Sequence, residues 1–201
     1  MSTLNDADRR EYYRIEDLIA LEITPLRASE AATSEVLQDA SPLFNLLSEL
    51  HLSEFESQHL LRQISERDRT VSSYLKTLNK RVDLLSQIVA QTVLGQIGEL
   101  QPVTLSEGGI EFHHPHPYPT DSHLAVKLVL MPQALGLLLR ARVVRCLAQD
   151  GGYSIDTEFE SLNDTQRQLL ARHILQKQAQ ARRLAREQHE SAAEQAPGRE
   201  H

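Results

Sequence analysis

Apolar residues between Ser53 and Gly95 recur at alternating steps of three and four. Ser53 and Glu56 form a capping-box pattern, and neither Gly nor Pro interrupts the chain before Gly95. The pattern predicts one helix over about residues 53–94, roughly 60 Å long. Its heptad seam, typical of a coiled coil, consists of Leu61, Ile64, Asp68, Val71, Leu75, Leu78, Val82, Leu85 and Val89.

A helix of this length outreaches the rest of the domain, whose compact radius is about 14 Å. We therefore favour the interpretation that the heptad seam joins helices from different chains in a homo-oligomer of two to four copies. The alternative is that the stripe packs on its own domain. Asp68 occupies a core position of the seam, where a polar residue fixes register and strand number.

A shorter helix is predicted just before this one. Ser41 is a favourable N-cap and Pro42 suits the first helical position, so residues 41–50 are predicted to form an amphipathic helix. Residues 26–95 together are interpreted as a helical insertion.

On both sides of the insertion the apolar period becomes two, which indicates strands. The predicted strands, separated by turn signals rich in Gly and Pro, are 15–24, 99–105, 109–113, 123–131, 137–148 and 152–159. They predict an α+β fold, a six-stranded antiparallel barrel over residues 1–25 and 96–187. A helix at 163–187, capped by Asn163 or Asp164, closes it, and residues 188–201 are expected to be a disordered tail.

Composition excludes several classes of protein. The 201 residues carry a net charge of −7, which argues against broad binding of nucleic acid or anionic membranes. No run of about eighteen apolar residues is available for membrane insertion, and no secretory signal precedes the first strand, so we expect a cytoplasmic protein. The single cysteine, Cys146, cannot form a disulfide framework and is expected to be a buried structural thiol.

The stretch "HHPHPYP" draws attention because His113, His114 and His116 are close together. Neighbouring strand residues point to opposite faces, and the prolines hold the loop extended, so we favour a solvated loop over a metal site. Ser106 does not lie in a nucleophile elbow. Gly108 and Gly109, which follow it, lack the spacing of a dinucleotide-binding or phosphate-binding loop. We expect no catalytic residue, no metal and no enzymatic activity.

Two short segments, far apart in the chain, suit a nucleotide better. Arg9, Arg10 and Arg14 precede the first strand, and arginine hydrogen-bonds both phosphates and guanine edges. The turn "TLSEGG" offers the Ser106 hydroxyl and the backbone N–H groups of Gly108 and Gly109. On spacing alone, an arginine cluster is also compatible with a solvated face.

The order of these segments and strands resembles a PilZ domain, the bacterial receptor module for cyclic di-GMP. That family carries RxxxR before its first strand, matched by Arg10 and Arg14, and D/N-x-S-x-x-G within its barrel. Ser106 and Gly109 match the second motif, whereas Thr104 stands where Asp or Asn is expected. The resemblance implies that Arg9, Arg10, Arg14, Thr104, Ser106, Gly108 and Gly109 bind cyclic di-GMP.

The helical insertion resembles an atypical subfamily of PilZ domains that oligomerises through long heptad helices. The resemblance implies a non-enzymatic receptor that needs no cofactor and acts through an unidentified protein partner on motility, exopolysaccharide or virulence. Because a neutral hydroxyl at Thr104 is a poorer acceptor for guanine than a carboxylate, an alternative stays open. In that alternative the protein is a degenerate PilZ-like oligomeric scaffold that works only by protein contacts.

Overall fold

The structure of the protein is a computed structural model that describes residues 13–27, 41–97 and 99–194. In chain order, the described elements are β1 (Ile15–Pro25), α1 (Pro42–Arg67), α2 (Arg69–Ile97), β2 (Leu100–Leu105), β3 (Gly109–His114), β4 (His123–Leu130), β5 (Leu135–Gln149), β6 (Gly152–Glu160) and α3 (Asp164–Glu194). None of the helices described is both long and apolar enough to cross a membrane.

The described strands form a closed antiparallel barrel in the order β1-β2-β3-β6-β5-β4. The first half of β1 pairs with β2, and its second half pairs with β4, so this strand closes the barrel. Ala20 lies at the crossover, opposite both Leu100 and Val129. The six-stranded barrel predicted from the alternation of apolar residues is confirmed, and each strand begins and ends within two residues of its predicted bounds.

The barrel interior is filled by aliphatic side chains that alternate with outward-facing polar residues. On β2 and β3 the inward residues are Val103, Leu105, Ile110 and Phe112. Thr104 and Glu111 lie between them and therefore face outward. Cys146, predicted to be a buried thiol, is only half-buried, where it packs against the edge of this core.

The prediction of a single helix over 53–94 is wrong, because the helix is interrupted at Asp68. Ser41 does cap α1, but α1 continues without interruption through the predicted helix start at Ser53. Asp68 has extended backbone angles, and its Oδ1 accepts hydrogen bonds from the backbone N–H groups of Thr70 (2.8 Å) and Val71 (3.0 Å). Asp68 therefore caps α2 rather than occupying the core of a continuous seam.

The two helices fold back on each other as a hairpin. One small cavity between them is lined by Leu50 and Ser57 of α1 and by Asn79 and Ser86 of α2, as antiparallel packing requires. The face that α2 buries consists of small side chains, namely Ser72, Ser86 and Ala90. Small residues let two helix backbones approach closely, which the hydrophobic pattern alone did not indicate.

The predicted seam is divided by this packing. Its half-buried members are Leu61, Ile64, Leu75, Leu78 and Val89, and its exposed apolar members are Val71, Val82 and Leu85. Next to it, α2 presents an exposed apolar stripe, defined here as Tyr74, Leu84, Leu85 and Ile88. The hairpin thus leaves a large apolar surface uncovered within the described chain.

The hairpin docks on the outside of the barrel through Phe44 and Leu47, which are almost fully buried beside Val129. The Ser48 hydroxyl donates a hydrogen bond to the carbonyl oxygen of Gly136 (2.9 Å). A β-carbon at Gly136 would press against the Phe44 ring and the Ser48 hydroxyl. The start of β5 therefore lies directly beneath α1.

The C-terminal helix α3 begins as predicted and ends later. Asn163 and Gln166 form a reciprocal capping box, in which each side chain accepts from the other residue's backbone N–H. The helix was predicted to end at residue 187, but it continues to Glu194. The prediction of disorder is therefore wrong for residues 188–194. The remainder of the predicted tail, 195–201, lies outside the described residues.

Candidate functional site

One cavity brings together residues from both predicted ligand-binding segments. It has a volume of about 190 Å³ and lies between the start of β1, the β2–β3 turn, β6 and the beginning of α3. Five of the seven predicted ligand-binding residues line it: Arg14, Thr104, Ser106, Gly108 and Gly109. The other two, Arg9 and Arg10, lie outside the described residues.

Ser106 closes the turn between β2 and β3. Its backbone N–H donates to the carbonyl oxygen of Gly109 (2.9 Å), and its hydroxyl oxygen accepts from the Gly109 N–H (3.1 Å). The hydroxyl also donates to the Gly109 carbonyl oxygen at 3.2 Å. Ser106 is thus needed by the turn itself and keeps one lone pair for a ligand.

The β2–β3 turn lies close against β6. The carbonyl oxygen of Gly108 accepts a hydrogen bond from the Phe159 N–H (2.8 Å). A β-carbon at Gly109 would collide with the carbonyl oxygen of Thr157, a backbone atom that a rotamer change cannot move away. Only glycine fits at this position, so the second motif has a structural cause as well as a proposed ligand role.

A row of outward-facing residues crosses the barrel at Thr104. The backbone register places Glu16 of β1 opposite Thr104, Thr104 opposite Glu111 of β3, and Glu111 opposite Asp156 of β6. Thr104, Glu111 and Asp156 line the cavity, whereas Glu16 lies outside it. The Ser154 hydroxyl donates to Oε1 of Glu111 at 2.7 Å.

Charges of both signs surround the cavity. Two arginines, Arg14 and Arg167, line it together with four carboxylates, namely Glu107, Glu111, Asp156 and Glu158. Two of these carboxylates are already paired: Glu158 with Arg142 (2.6 Å) and Asp156 with Arg145 (3.5 Å). The net field is therefore less negative than the count of acidic groups suggests.

Arg142 is the centre of the ion-pair network beside the cavity. Burial disfavours its charged form, but a hydrogen bond with Asp121 and the charges of Glu158, Glu160 and Asp121 raise the pKa of Arg142 above its ordinary value. The guanidinium therefore stays charged, and it pairs with Asp121, Glu158 and Glu160.

Arg14 lies between two depressions in the surface. Besides the 190 Å³ cavity, it lines a shallower groove of about 860 Å³ between the start of β1 and α3. Tyr13, Leu175 and Leu184 contribute apolar surface to this groove. Arg14 is therefore shared by the two depressions.

Sequence reasoning missed Arg167 and Glu111 as neighbours of the cavity. Arg167 lies in the first turn of α3, and only the docking of that helix brings it to the β2–β3 turn. Glu111 is one of many acidic residues, and its closeness to Thr104 depends on the β2–β3 register. A hairpin register drawn from the predicted turn was the one available signal for Glu111.

The histidine stretch contributes no site to this face of the barrel. His113 and His114 end β3, and His114 Nδ1 lies 2.9 Å from the carbonyl oxygen and 3.1 Å from the backbone nitrogen of His116. The His114 ring also packs against Tyr118, whose pKa is raised by burial. Across residues 13–27, 41–97 and 99–194, no group of three His, Cys, Asp or Glu side chains is arranged to hold a metal ion.

The comparison with family models covers five of the six described strands of the barrel, β2 to β6. Residues 77–176 match the model of the PilZ domain. The chain contains a PilZ domain. The match begins within α2 and includes β2 to β6 and the first part of α3, so the PilZ motif at Ser106 and Gly109 lies inside it and Arg14 lies outside it.

A solved PilZ structure supports the same fold. A protein of Xanthomonas campestris, described as a tetrameric PilZ domain self-assembled via an unusual helical bundle, superposes with a TM-score of 0.53. The two sequences are 16% identical, and the match covers 85% of this chain and 90% of the other. No curated protein sequence matches this chain.

Proposed function

We propose that this protein is a non-enzymatic, cytoplasmic receptor for cyclic di-GMP. The observation that carries the proposal is the convergence of Arg14, from before β1, with Ser106, Gly108 and Gly109 at one cavity. Arg14 is more than ninety positions before Ser106 in the chain, and Arg14, Ser106 and Gly109 match the two motifs through which PilZ domains bind this dinucleotide. Arg9 and Arg10 belong to the same proposed site.

The volume of the cavity indicates which part of cyclic di-GMP the cavity binds. Ligand pockets for drug-sized molecules measure about 300–1,000 Å³, whereas this cavity measures about 190 Å³. We assign it to one guanine with its neighbouring phosphate. Arg14 and Arg167 supply charge-assisted hydrogen bonds to that phosphate, and Arg9 and Arg10 hold the remainder of the dinucleotide.

We further propose that the protein forms a homo-oligomer of two to four copies through the α1–α2 hairpin. The apolar stripe on α2 supports this proposal, because Tyr74, Leu85 and Ile88 are 63%, 63% and 66% exposed. Apolar surface of this kind marks association sites on soluble proteins. The Xanthomonas campestris protein, which assembles via a helical bundle, has the same fold.

Binding is proposed to change the surface that the protein shows to an unidentified protein partner. A ligand that engages Arg14 would alter the groove beside α3, which Arg14 also lines. Motility, exopolysaccharide production and virulence are the expected outputs of such a receptor.

Calorimetry of the full chain with cyclic di-GMP tests the receptor proposal. We expect binding at micromolar ligand, and a loss of tenfold or more in Arg14→Ala, because charge-assisted hydrogen bonds contribute about 1.5–3 kcal/mol each. Arg186→Ala removes another exposed arginine, from α3 and outside both depressions, and should bind as the wild type does. Absence of heat with the wild type would leave the scaffold alternative as the function.

A further inference from the structure

We propose that the carboxylate of Glu111 is the group that recognises guanine in this cavity. The inference rests on the proposed function and adds a specificity-determining residue to it. The Watson–Crick edge of guanine presents two donors, N1–H and N2–H, which a carboxylate accepts side by side. Thr104, which stands where the family motif has Asp or Asn, offers only one hydroxyl oxygen.

The position of Glu111 fits this role because it is directly opposite Thr104 in the β2–β3 ladder. Side chains in such a pair have their β-carbons about 5 Å apart. Both face outward, since their neighbours on each strand fill the barrel core, and both line the cavity. The Ser154 hydrogen bond holds the Glu111 carboxylate toward β6, so Thr104 and the carboxylate line the cavity from opposite sides of β3.

The environment of Glu111 leaves its carboxylate oriented and available. Ser154 donates to Oε1 at 2.7 Å, which fixes the side chain without neutralising it. In the part of the chain that the structure describes, no basic side chain forms an ion pair with Glu111, whereas Asp156 and Glu158 are held by Arg145 and Arg142. Of the strand carboxylates at the cavity, Glu111 is thus the one left to accept from a ligand.

Chemistry then predicts discrimination between bases. Adenine presents an acceptor, N1, where guanine presents the N1–H donor, so a carboxylate at this place repels adenine. Hypoxanthine keeps N1–H and lacks the exocyclic amine, so it forms one of the two hydrogen bonds. Cyclic di-GMP should therefore bind more tightly than its hypoxanthine analogue, and cyclic di-AMP should bind weakest.

Glu111→Gln is the direct test, because glutamine keeps the acceptor for Ser154 while placing an amide group against the guanine donors. In calorimetry of the full chain, we expect Glu111→Gln to weaken cyclic di-GMP binding by about tenfold to a hundredfold. Glu99→Gln is the control. It removes the same charge from an exposed position just before β2, outside both depressions that Arg14 lines, and should bind within about twofold of the wild type.

A structural role of Glu111 is separated from recognition by the ratio of affinities for cyclic di-GMP and its hypoxanthine analogue. That ratio should fall toward one in Glu111→Gln, whereas a merely structural residue would weaken both ligands equally. The exchange Thr104→Asp with Glu111→Thr should restore the preference for guanine. If the wild type binds cyclic di-GMP and Glu111→Gln leaves the affinity or the ratio of affinities unchanged, the assignment of Glu111 alone is overturned. If the wild type does not bind, the receptor proposal is overturned as well.

Discussion

Asp17 of β1 and His173 of α3 form a buried hydrogen bond of 2.8 Å between Oδ2 and Nε2. The other carboxylate oxygen accepts from Lys177 Nζ (2.5 Å) and from the Leu18 N–H (2.9 Å). The side chain of Asp17 is only 5% exposed and that of His173 only 3%. This cluster joins the C-terminal helix to the strand that follows Arg14, and Asp17 and Lys177 line the groove that Arg14 also lines.

Asp17 should stabilise the protein in a pH-dependent way. Burial works to raise its pKa, but hydrogen bonds and charges from His173 and Lys177 outweigh burial and hold the pKa of Asp17 below its ordinary value. A carboxyl group with a depressed folded-state pKa stabilises above its unfolded value, about 3.9, and loses that contribution as pH falls through the folded value.

We therefore expect Asp17→Asn to lower the free energy of unfolding by about 2–3 kcal/mol at pH 7, with the difference shrinking below about pH 4. Urea unfolding at pH 7, 5 and 3 measures this. Asp83→Asn, an exposed change on α2, should cost less than about 0.5 kcal/mol at each pH. A cost for Asp17→Asn that is the same at pH 3 and pH 7 would contradict the ion-pair explanation.

Gly109→Ala should destabilise the barrel by about 2 kcal/mol or more, because the new methyl group collides with the Thr157 carbonyl oxygen. Gly95→Ala provides the contrast. A β-carbon at Gly95 meets nothing within 4 Å, and alanine in a helix is favoured over glycine by about 1 kcal/mol. Thermal unfolding of both variants should give melting temperatures on opposite sides of the wild type.

The barrel was predictable from sequence because period-two alternation and Gly- or Pro-containing turns leave little freedom in the placement of strands. The β2–β3 turn was predictable for the same reason, since Ser106 and Gly109 are the residues that its geometry needs. The location of Glu111 and Arg167 was not, because it depends on strand register and on helix docking.

The helical hairpin was missed for a different reason. Three-and-four spacing of apolar residues is shared by a long coiled-coil helix and by two helices that fold back on each other. The break at Asp68 contains neither Gly nor Pro, and the contact face is marked by Ser72, Ser86 and Ala90 rather than by large apolar residues. Apolar periodicity therefore predicted the helices without identifying the face that is buried.

Asp68 offers a test of the hairpin itself. As the cap of α2, it should tolerate asparagine, whereas Asp68→Ala should lower the free energy of unfolding by about 1–2 kcal/mol. Oligomeric state should be the same in both variants. If Asp68 were a polar core residue of a coiled coil, an apolar replacement would instead stabilise the assembly, which light scattering combined with chemical unfolding would reveal.

The apolar stripe on α2 gives the last prediction. Leu85→Glu and Ile88→Glu each place a charge in the middle of the proposed interface, where burying it without a partner costs several kcal/mol. We expect both variants to be folded but to scatter light as smaller species than the wild type at the same concentration. Arg186→Glu changes charge at an exposed position of α3, away from the hairpin, and should leave the mass unchanged. A wild type that is monomeric at every concentration would contradict the oligomer proposal, and it would leave the stripe for another protein.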